Sequence, residues 1–196
     1  MPITIQSPDI SALVRRLGAV SSDAPKAFKQ ALSSISRAAK TETKRAAAAE
    51  YNVKQSRIEQ DIRIDTRSAD AIVVTGRRRS ITFNSYGFKP TRAGLRGSLF
   101  KKGKKHTFKS GFVAPGLAGA ENGFHSVPFW RVGPKRKMRK GRYVGKLRQP
   151  LESLHGPSVA DMLKNDRVFT PLHARLILRA TNELERRITR ELARRG

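Results

Sequence analysis

The segment between Asp70 and Glu152 carries almost no negative charge. Residues 71–151 contain twenty Lys/Arg residues and a single acid, Glu121, so this stretch supplies +19 of the chain's formal net charge of +26. Charge of one sign repels itself and destabilises a compact chain unless counter-ions, phosphates or acidic protein surfaces lie close to it. The sequence therefore predicts a fold that presents this charge to a polyanionic partner.

The rest of the composition is that of a folded protein with a modest core. The chain has 196 residues, 38% of them hydrophobic, and nine Phe, which excludes a wholly disordered polyelectrolyte. We expect a single domain over residues 1–196. Its predicted parts are an N-terminal helical part (1–60), a basic β-sheet part (61–150) and a C-terminal helical part (151–196).

The sequence also bears on compartment and membrane association. The chain has no cysteine, so disulfides and thiolate metal sites are excluded. No run approaches the roughly 18 consecutive apolar residues of a membrane span, and the N-terminus lacks the basic-then-apolar order of a secretion signal. We expect a protein made in the cytoplasm and without a membrane partner.

A long amphipathic helix is predicted near the N-terminus. Pro25 suits a first turn, and apolar residues then recur at spacings of three and four, so the helix should run to about Tyr51. Its apolar stripe narrows to alanines at 46–49, which suits close packing against another backbone or a neighbouring subunit. The candidate subunit-interface residues are Phe28, Ala31, Leu32, Ile35, Ala46 and Ala49.

The hydrophobic period changes from about 3.6 to 2 near Ile62, and three hairpins are predicted beyond it. They pair 71–75 with 80–85, 98–100 with 107–114, and 127–132 with 142–147. Basic hairpin tips are either solvated loops that prevent aggregation or contacts to phosphate, and three tips of one sign favour phosphate. The candidate DNA or partner contacts are Arg77, Arg78, Arg79, Lys101, Lys102, Lys104, Lys105, Lys135, Arg136, Lys137, Arg139 and Lys140.

A second long helix is predicted at the C-terminal end. Thr170 would be its N-cap and Pro171 its first residue, followed by an apolar stripe at spacing four, Leu172, Leu176, Ala180, Leu184, Ile188 and Leu192. The fold class is therefore α+β, with a long N-terminal helix and a C-terminal helix packed on a mainly antiparallel β-sheet with extended basic hairpin loops.

Aromatic residues of the basic region have two interpretations. They can stack on nucleic-acid bases, or they can form the core of a sheet. Their alternation along the strands favours a core, with Tyr86 and Phe88 as the exceptions because they adjoin Gly87 in a loop.

The residues needed for catalysis are not assembled in any recognisable motif. The histidines lack carboxylates at ligand spacing and are expected in turns or on the surface: His106, His125, His155 and His173. One acid in the basic region cannot build the paired-carboxylate site of a metal-dependent nuclease. We therefore expect no catalytic, metal-binding or cofactor-binding residues, no cofactor, and no enzymatic activity.

Several ordered segments resemble the phage minor tail protein Z family. They are an Ala-rich helix ending in EYNVK (50–54), TGRRRSITF (75–83), KSGFVAPG with a Gly-rich loop (109–123), and LRQPLESLHGPSVADMLKND (147–166). The LHGPSV core is the most specific of these, and together the segments span roughly residues 20–170. The aromatic-Arg segment of the family is matched only loosely by 124–131.

The resemblance implies a tail completion or neck protein of lambda-like long-tailed phages. Such a protein would form a homo-oligomeric, six-fold ring at the head–tail junction of the virion, around the DNA channel. Its neighbours would be tail terminator, tail tube or head-connector proteins, and its basic loops would contact the DNA phosphate backbone without sequence specificity, or acidic protein surfaces. The alternative is a free nucleic-acid-binding protein of ribosomal or nucleoid type, which explains the charge but not the EYNVK and LHGPSV segments.

Overall fold

The structure is a computed structural model that describes residues 3–5, 12, 15, 24–66, 72–114, 127–140 and 143–194. Within these residues the helices are α1 (Ala24–Glu50), α2 (Gln55–Glu59), α3 (Val159–Lys164) and α4 (Asp166–Ala193), and a 3₁₀ turn covers Phe83–Tyr86. The strands are β1 (Ile3–Ile5), β2 (Ile62–Asp65), β3 (Ile72–Gly76), β4 (Ser80–Thr82), β5 (Lys89–Thr91), β6 (Gly94–Gly97), β7 (His106–Phe108), β8 (Gly111–Ala114), β9 (Val127–Arg131), β10 (Arg136–Lys137), β11 (Leu147–Arg148), β12 (Leu151–Ser153) and β13 (His155–Ser158).

The α+β prediction is confirmed, with long helices near both ends and antiparallel strands between them. The described strands form several small sheets. Three-stranded sheets have the orders β1-β3-β2, β5-β6-β7 and β12-β9-β8, and the two-stranded ones are β4-β13 and β10-β11. All the pairings in the three-stranded sheets are antiparallel.

Internal contacts divide the chain into two compact units. The helical unit comprises Met1–Glu50, Gln55–Arg79 and Ser158–Gly196, and the basic unit comprises Tyr51–Lys54 and Ser80–Pro157. Strands β2 and β3 therefore belong with the terminal helices, and the remaining strands after them belong to the basic unit. A single domain over residues 1–196 stays a prediction.

In the helical unit, α1 and α4 run antiparallel and pack on each other. Glu50 pairs with Arg167 near one end of the two helices, and Gln30 accepts a hydrogen bond from Arg187 near the other. The buried residues of α4 are Val168, Leu172, Leu176, Ala180, Leu184 and Ile188, and small residues dominate the buried face of α1, Ala31, Ile35, Ala39, Thr43, Ala47 and Ala48. The predicted stripe of α4 is confirmed except at Leu192, which is 51% exposed.

The predicted start of the C-terminal helix is wrong by five residues. Helix α4 begins at Asp166, and the side chain of Asn165 caps it by accepting a hydrogen bond from the Arg167 N–H at 3.1 Å. Asn is as good an N-cap as Thr, and the earlier start adds Val168 to the buried stripe four residues before Leu172. Pro171 therefore lies inside the helix, where it removes one main-chain hydrogen-bond donor.

The candidate subunit interface on α1 needs a correction at two positions. Ala31 and Ile35 are buried within the helical unit, so they cannot also cover a neighbouring subunit. Leu32 and Ala46 are half-buried and Ala49 is exposed, so an interface there stays a prediction. The side chain of Phe28 lies outside the described residues.

The first predicted hairpin is wrong. Strand β3 pairs with β2 on one side and β1 on the other, with Val74 opposite both Ile64 and Ile3, whereas β4 pairs with β13. One edge of β3 is thus occupied by the preceding strand, β2, and the other by β1, which is distant from it in sequence. Gly76 ends β3 where a Cβ atom would lie 2.7 Å from the main-chain nitrogen of Ala160, so this residue must be glycine.

The core of the basic unit is aromatic. Phe83 stacks on Phe88 with ring centroids 4.4 Å apart, and Phe108 lies 5.4 Å from Phe83 and 6.4 Å from Trp130. Tyr86 and Phe88 are both buried, so the prediction that these two residues are free to stack on bases is wrong. The turn at Gly87, whose φ is +72°, directs both side chains inward.

The second and third hairpins differ from prediction in their strands. The second has the predicted tip at 101–105, but its strands are β6 and β7, with Gly97 opposite His106. In the third, β9 pairs with β12, Arg131 being opposite Leu151, and not with residues 142–147. Farther along the same hairpin, β10 pairs with β11 in a short ladder. The paired region therefore extends beyond β9, the strand that the alternation of apolar residues predicts.

Candidate functional site

Charge is divided unequally between the two units. The basic unit contains eighteen Lys/Arg residues and two acids, Glu121 and Glu152, whereas the helical unit contains twenty-three Lys/Arg residues and thirteen acids. The basic unit therefore carries a net charge of +16 on fewer than half of the residues. Such a density of like charge repels itself and destabilises the compact state.

The ion pairs follow the same division. Every ion pair of the described residues lies within the helical unit. Glu42 pairs with Arg179 at 3.1 Å, and Glu59 pairs with Lys44 at 2.7 Å and Lys40 at 3.0 Å. The hydrogen bonds from Lys44 and Lys40 hold the pKa of the Glu59 carboxyl below its ordinary value.

Within the described part of the basic unit, no Lys or Arg pairs with a carboxylate. Its one described acid is Glu152, which lies on β12 opposite Trp130. The described cationic side chains of this unit are thus not neutralised by a described carboxylate.

All twelve predicted contact residues are exposed, and they lie on three separate segments. Arg77, Arg78 and Arg79 follow β3, at the end of one stretch of the helical unit. The lysines of 101–105 occupy the tip of the β6-β7 hairpin. The five residues between 135 and 140 lie on the hairpin that joins β9 to β12, so the basic unit holds nine of the twelve.

Hydrogen bonds fix the base of two of these segments. The N–H of Arg77 donates to the carbonyl of Asp61 at 2.8 Å, so Arg78 and Arg79 follow an anchored residue. At the β6-β7 tip, the hydroxyl of Ser98 donates to the carbonyl of Phe100 at 2.8 Å, and the N–H of Gly103 donates to the same carbonyl at 3.2 Å. These two hydrogen bonds therefore fix the main chain of the turn, while its lysines are exposed to solvent.

We call residues 132–150 the finger, of which the described parts, 132–140 and 143–150, pair as two strands. The N–H of Val132 donates to the carbonyl of Pro150 at 2.9 Å, and that of Met138 donates to the carbonyl of Lys146 at 3.0 Å. Between these two bonds lies the β10-β11 ladder. The finger contains eight Lys/Arg residues and no acid.

Near the end of the finger an aromatic ring holds an arginine. The guanidinium carbon of Arg148 lies 3.6 Å from the centroid of the Tyr143 ring, and the ammonium of Lys146 lies 6.0 Å from it. Val144 and Leu147 are 60% and 66% exposed. None of these five residues was among the predicted contacts, because the stacking depends on the pairing of the finger strands.

The segments EYNVK and LHGPSV serve packing. In the first, the amide nitrogen of Asn52 donates to the carbonyl of Tyr86 at 2.8 Å. In the second, Pro157 accepts a hydrogen bond from the Tyr86 hydroxyl at 2.6 Å, and a Cβ on Gly156 would lie 2.5 Å from the Tyr86 ring. Both segments therefore meet at one buried tyrosine of the basic unit.

Ser158, the next residue, is the N-cap of α3 and forms a capping box with Asp161. Its hydroxyl donates to the Asp161 carboxylate at 2.6 Å and accepts from the Asp161 N–H at 3.2 Å. This hydrogen bond from Ser158 lowers the pKa of the Asp161 carboxyl, and the charges of Lys164 and Arg78 add to it. The capping box accounts for the spacing of Ser158 and Asp161, so this spacing does not indicate a catalytic pair.

The histidines of the described residues have structural surroundings. His155 is exposed and lies 2.8 Å from the Ser153 hydroxyl, His173 stacks on Phe169, and His106 is exposed on β7. His125 lies outside the described residues. In the described ranges no three His, Asp or Glu side chains gather as metal ligands, and no helix there is long and apolar enough to cross a bilayer.

Protein-family models, curated proteins and solved structures yield no match to this chain. The site is thus defined by the charge, exposure and hydrogen bonding of the chain's own residues.

Proposed function

We propose that this protein is a structural component of a phage particle, a tail completion or neck protein at the head-proximal end of the tail. In this role it forms a homo-oligomeric ring around the DNA channel and takes part in joining head to tail. Its basic unit contacts the phosphate backbone of DNA without reading sequence. It performs no catalysis.

The observation that supports this proposal most strongly is the segregation of charge. The described ion pairs neutralise cations of the helical unit, whereas the exposed Lys/Arg of the basic unit have no carboxylate partner among the described residues. Unpaired cations on short hairpins neutralise phosphates and leave base edges untouched, so binding of this kind is independent of sequence. A duplex bound in this way remains able to slide.

The phage assignment rests on the resemblance of the ordered segments. Asn52, Gly156 and Pro157 of those segments all contact Tyr86, so they specify how the basic unit is built. Ring symmetry would bring the basic units of all subunits to one axis and multiply their electrostatic field.

The test uses the full chain after nuclease treatment has removed bound nucleic acid. Light scattering at moderate salt then measures the molar mass of the protein in solution. We expect a closed multimer that binds unrelated duplexes with equal affinity, and whose affinity falls steeply with salt. A monomer that retains RNA tightly would contradict the ring and favour a free ribosomal or nucleoid protein. Electron micrographs of the parent particle, with this chain labelled, should locate it at the head–tail junction.

A further inference from the structure

The two strands of the finger carry like charges directly opposite each other. In the β10-β11 ladder, Arg136 is the cross-strand partner of Arg148. Directly opposed side chains of an antiparallel pair share one face and lie close together, and like charges in such positions destabilise the pair. Both side chains are exposed, and no described carboxylate pairs with either of them.

One of the two arginines is held in place. The Tyr143 ring stacks on the Arg148 guanidinium at 3.6 Å, which fixes the plane of the guanidinium and leaves its N–H groups free at the edge. Guanidinium groups bind phosphate oxygens through two parallel N–H donors. A phosphate between the two arginines would satisfy these donors and remove their mutual repulsion.

We propose that Arg136 and Arg148 form a phosphate clamp that grips the backbone of double-stranded DNA, with Tyr143 as the positioning residue for Arg148. This inference rests on the proposed function and specifies the element that makes the contact. A two-stranded ribbon is narrow enough to enter the major groove of B-form DNA, where the phosphates of both strands flank it. The finger, with eight cations and no acid, is such a ribbon.

The basic unit offers a matched control for this clamp. Lys89 and Arg96 are also directly opposed, in the β5-β6 pairing, and both are exposed. Neither stacks on an aromatic ring among the described residues. Replacing this pair removes the same charge from the same unit without touching the clamp.

The experiment measures binding of the full chain to a labelled duplex of about 30 base pairs over a range of salt concentrations. We expect Arg136→Gln/Arg148→Gln to lower the affinity by more than about tenfold. The slope of log affinity against log salt concentration, which we call the salt slope, should become shallower by about one, as for one lost phosphate contact. Lys89→Gln/Arg96→Gln should lower the affinity by less than about threefold. Equal losses in the two variants would mean that only total charge matters and would overturn the clamp.

Tyr143 provides a test that leaves the charge unchanged. Tyr143→Ala should weaken binding about two- to fivefold at an unaltered salt slope, and Tyr143→Phe should restore the affinity because the ring remains. An unchanged affinity in Tyr143→Ala would remove the positioning role. If Arg136→Gln/Arg148→Gln does not fold, Arg136→Lys/Arg148→Lys retains the charge, and full affinity in that variant would overturn the need for planar donors.

Two further arms identify the source of the phosphate. Sodium phosphate should displace the duplex from the unmodified chain more effectively than chloride at equal ionic strength, and Arg136→Gln/Arg148→Gln should abolish that difference. Binding to phosphatidylglycerol vesicles without binding to the duplex would assign the clamp to a membrane and overturn the proposal. Loss of duplex binding in the clamp variant alone would leave the proposed function intact, whereas no duplex binding by the unmodified chain would contradict DNA contact altogether.

Discussion

The side-chain amide of Asn52 donates a hydrogen bond to the main-chain carbonyl of Tyr86 at 2.8 Å, across thirty-four positions of sequence. The N–H of Asn52 also donates to the carbonyl of Leu99 at 2.9 Å. These hydrogen bonds hold residues 51–54, between α1 and α2, in the basic unit. Tyr86 is contacted by this segment and also by Gly156 and Pro157, at the other end of the unit's sequence.

Tyr86→Phe should destabilise the protein, because it leaves the Pro157 carbonyl without the hydroxyl that donates to it. The expected loss is about 1 kcal/mol, the usual value for one intramolecular hydrogen bond. Chemical denaturation measures this loss. Tyr143→Phe is the control, since Tyr143 lies on the exposed finger, and an equal loss in both variants would contradict a special role for Tyr86.

Leu184→Ala should lower the free energy of unfolding by about 2–5 kcal/mol, because Leu184 on α4 is only 1% exposed. Leu178→Ala, on the same helix, should change it by less than about 0.5 kcal/mol because Leu178 is 61% exposed. Thermal melting of the two variants distinguishes them. If Leu184→Ala melts at the temperature of the unmodified chain, the α1-α4 contact does not stabilise the protein in solution.

Helix faces were predictable from the sequence because helix periodicity is local. The stripe from Leu172 to Ile188 needs only the spacing of residues within one helix, and the structure buries it. The partner of that stripe was not predictable. The alanine face of α1 suits any close neighbour, and only the fold shows that Ala31 and Ile35 pack within the same chain.

Strand pairing was less predictable than strand position. Ile72 and Val74 were recognisable as strand residues, but β3 pairs with β1 and with the preceding strand β2, and not with β4, the strand that follows it. Alternation specifies which face of a strand is buried, whereas the choice of partner depends on contacts far along the chain. The stacking of Arg148 on Tyr143 was missed for the same reason, although the exposure of the basic residues followed from composition alone.

Thr43→Val should stabilise the protein by about 1 kcal/mol. Thr43 is fully buried on α1, and its hydroxyl has no hydrogen-bond partner among the described residues. An unsatisfied buried hydroxyl costs free energy, and valine has the same shape without it. Thr41→Val is the control because the Thr41 hydroxyl donates to the Arg37 carbonyl. A lower denaturation midpoint for Thr43→Val would indicate that this hydroxyl is satisfied in solution.

The capping box of α3 should make stability depend on pH in the acid range. The Ser158 hydroxyl stabilises the charged Asp161 carboxylate and lowers its pKa, so the contribution is complete above the ordinary pKa of about 4 and is lost as pH falls through the lower folded value. Urea midpoints measured between about pH 6 and pH 3 should fall less in Asp161→Asn than in the unmodified chain. Equal pH dependence in both proteins would exclude this carboxyl as a cause.

Charge reversal at the β6-β7 tip should leave the fold intact and weaken DNA binding. Exposed turn charges contribute little to stability, so the variant carrying glutamate at Lys101, Lys102, Lys104 and Lys105 should melt near the temperature of the unmodified chain. Its affinity for duplex DNA should fall by at least about tenfold and its salt slope should decrease, because cations that neutralise phosphate are replaced by anions that repel it.

The control for that reversal lies in the helical unit. Four exposed residues there form no ion pair among the described residues and can be reversed to glutamate with the same change in net charge, Lys29, Arg63, Arg175 and Arg190. If binding depends on the basic unit, this control should lose less affinity than the tip variant, and neither protein should prefer one DNA sequence over another. An equal loss in the two variants would mean that the duplex responds to the net charge of the whole chain, and the tip would then have no special place in the contact surface.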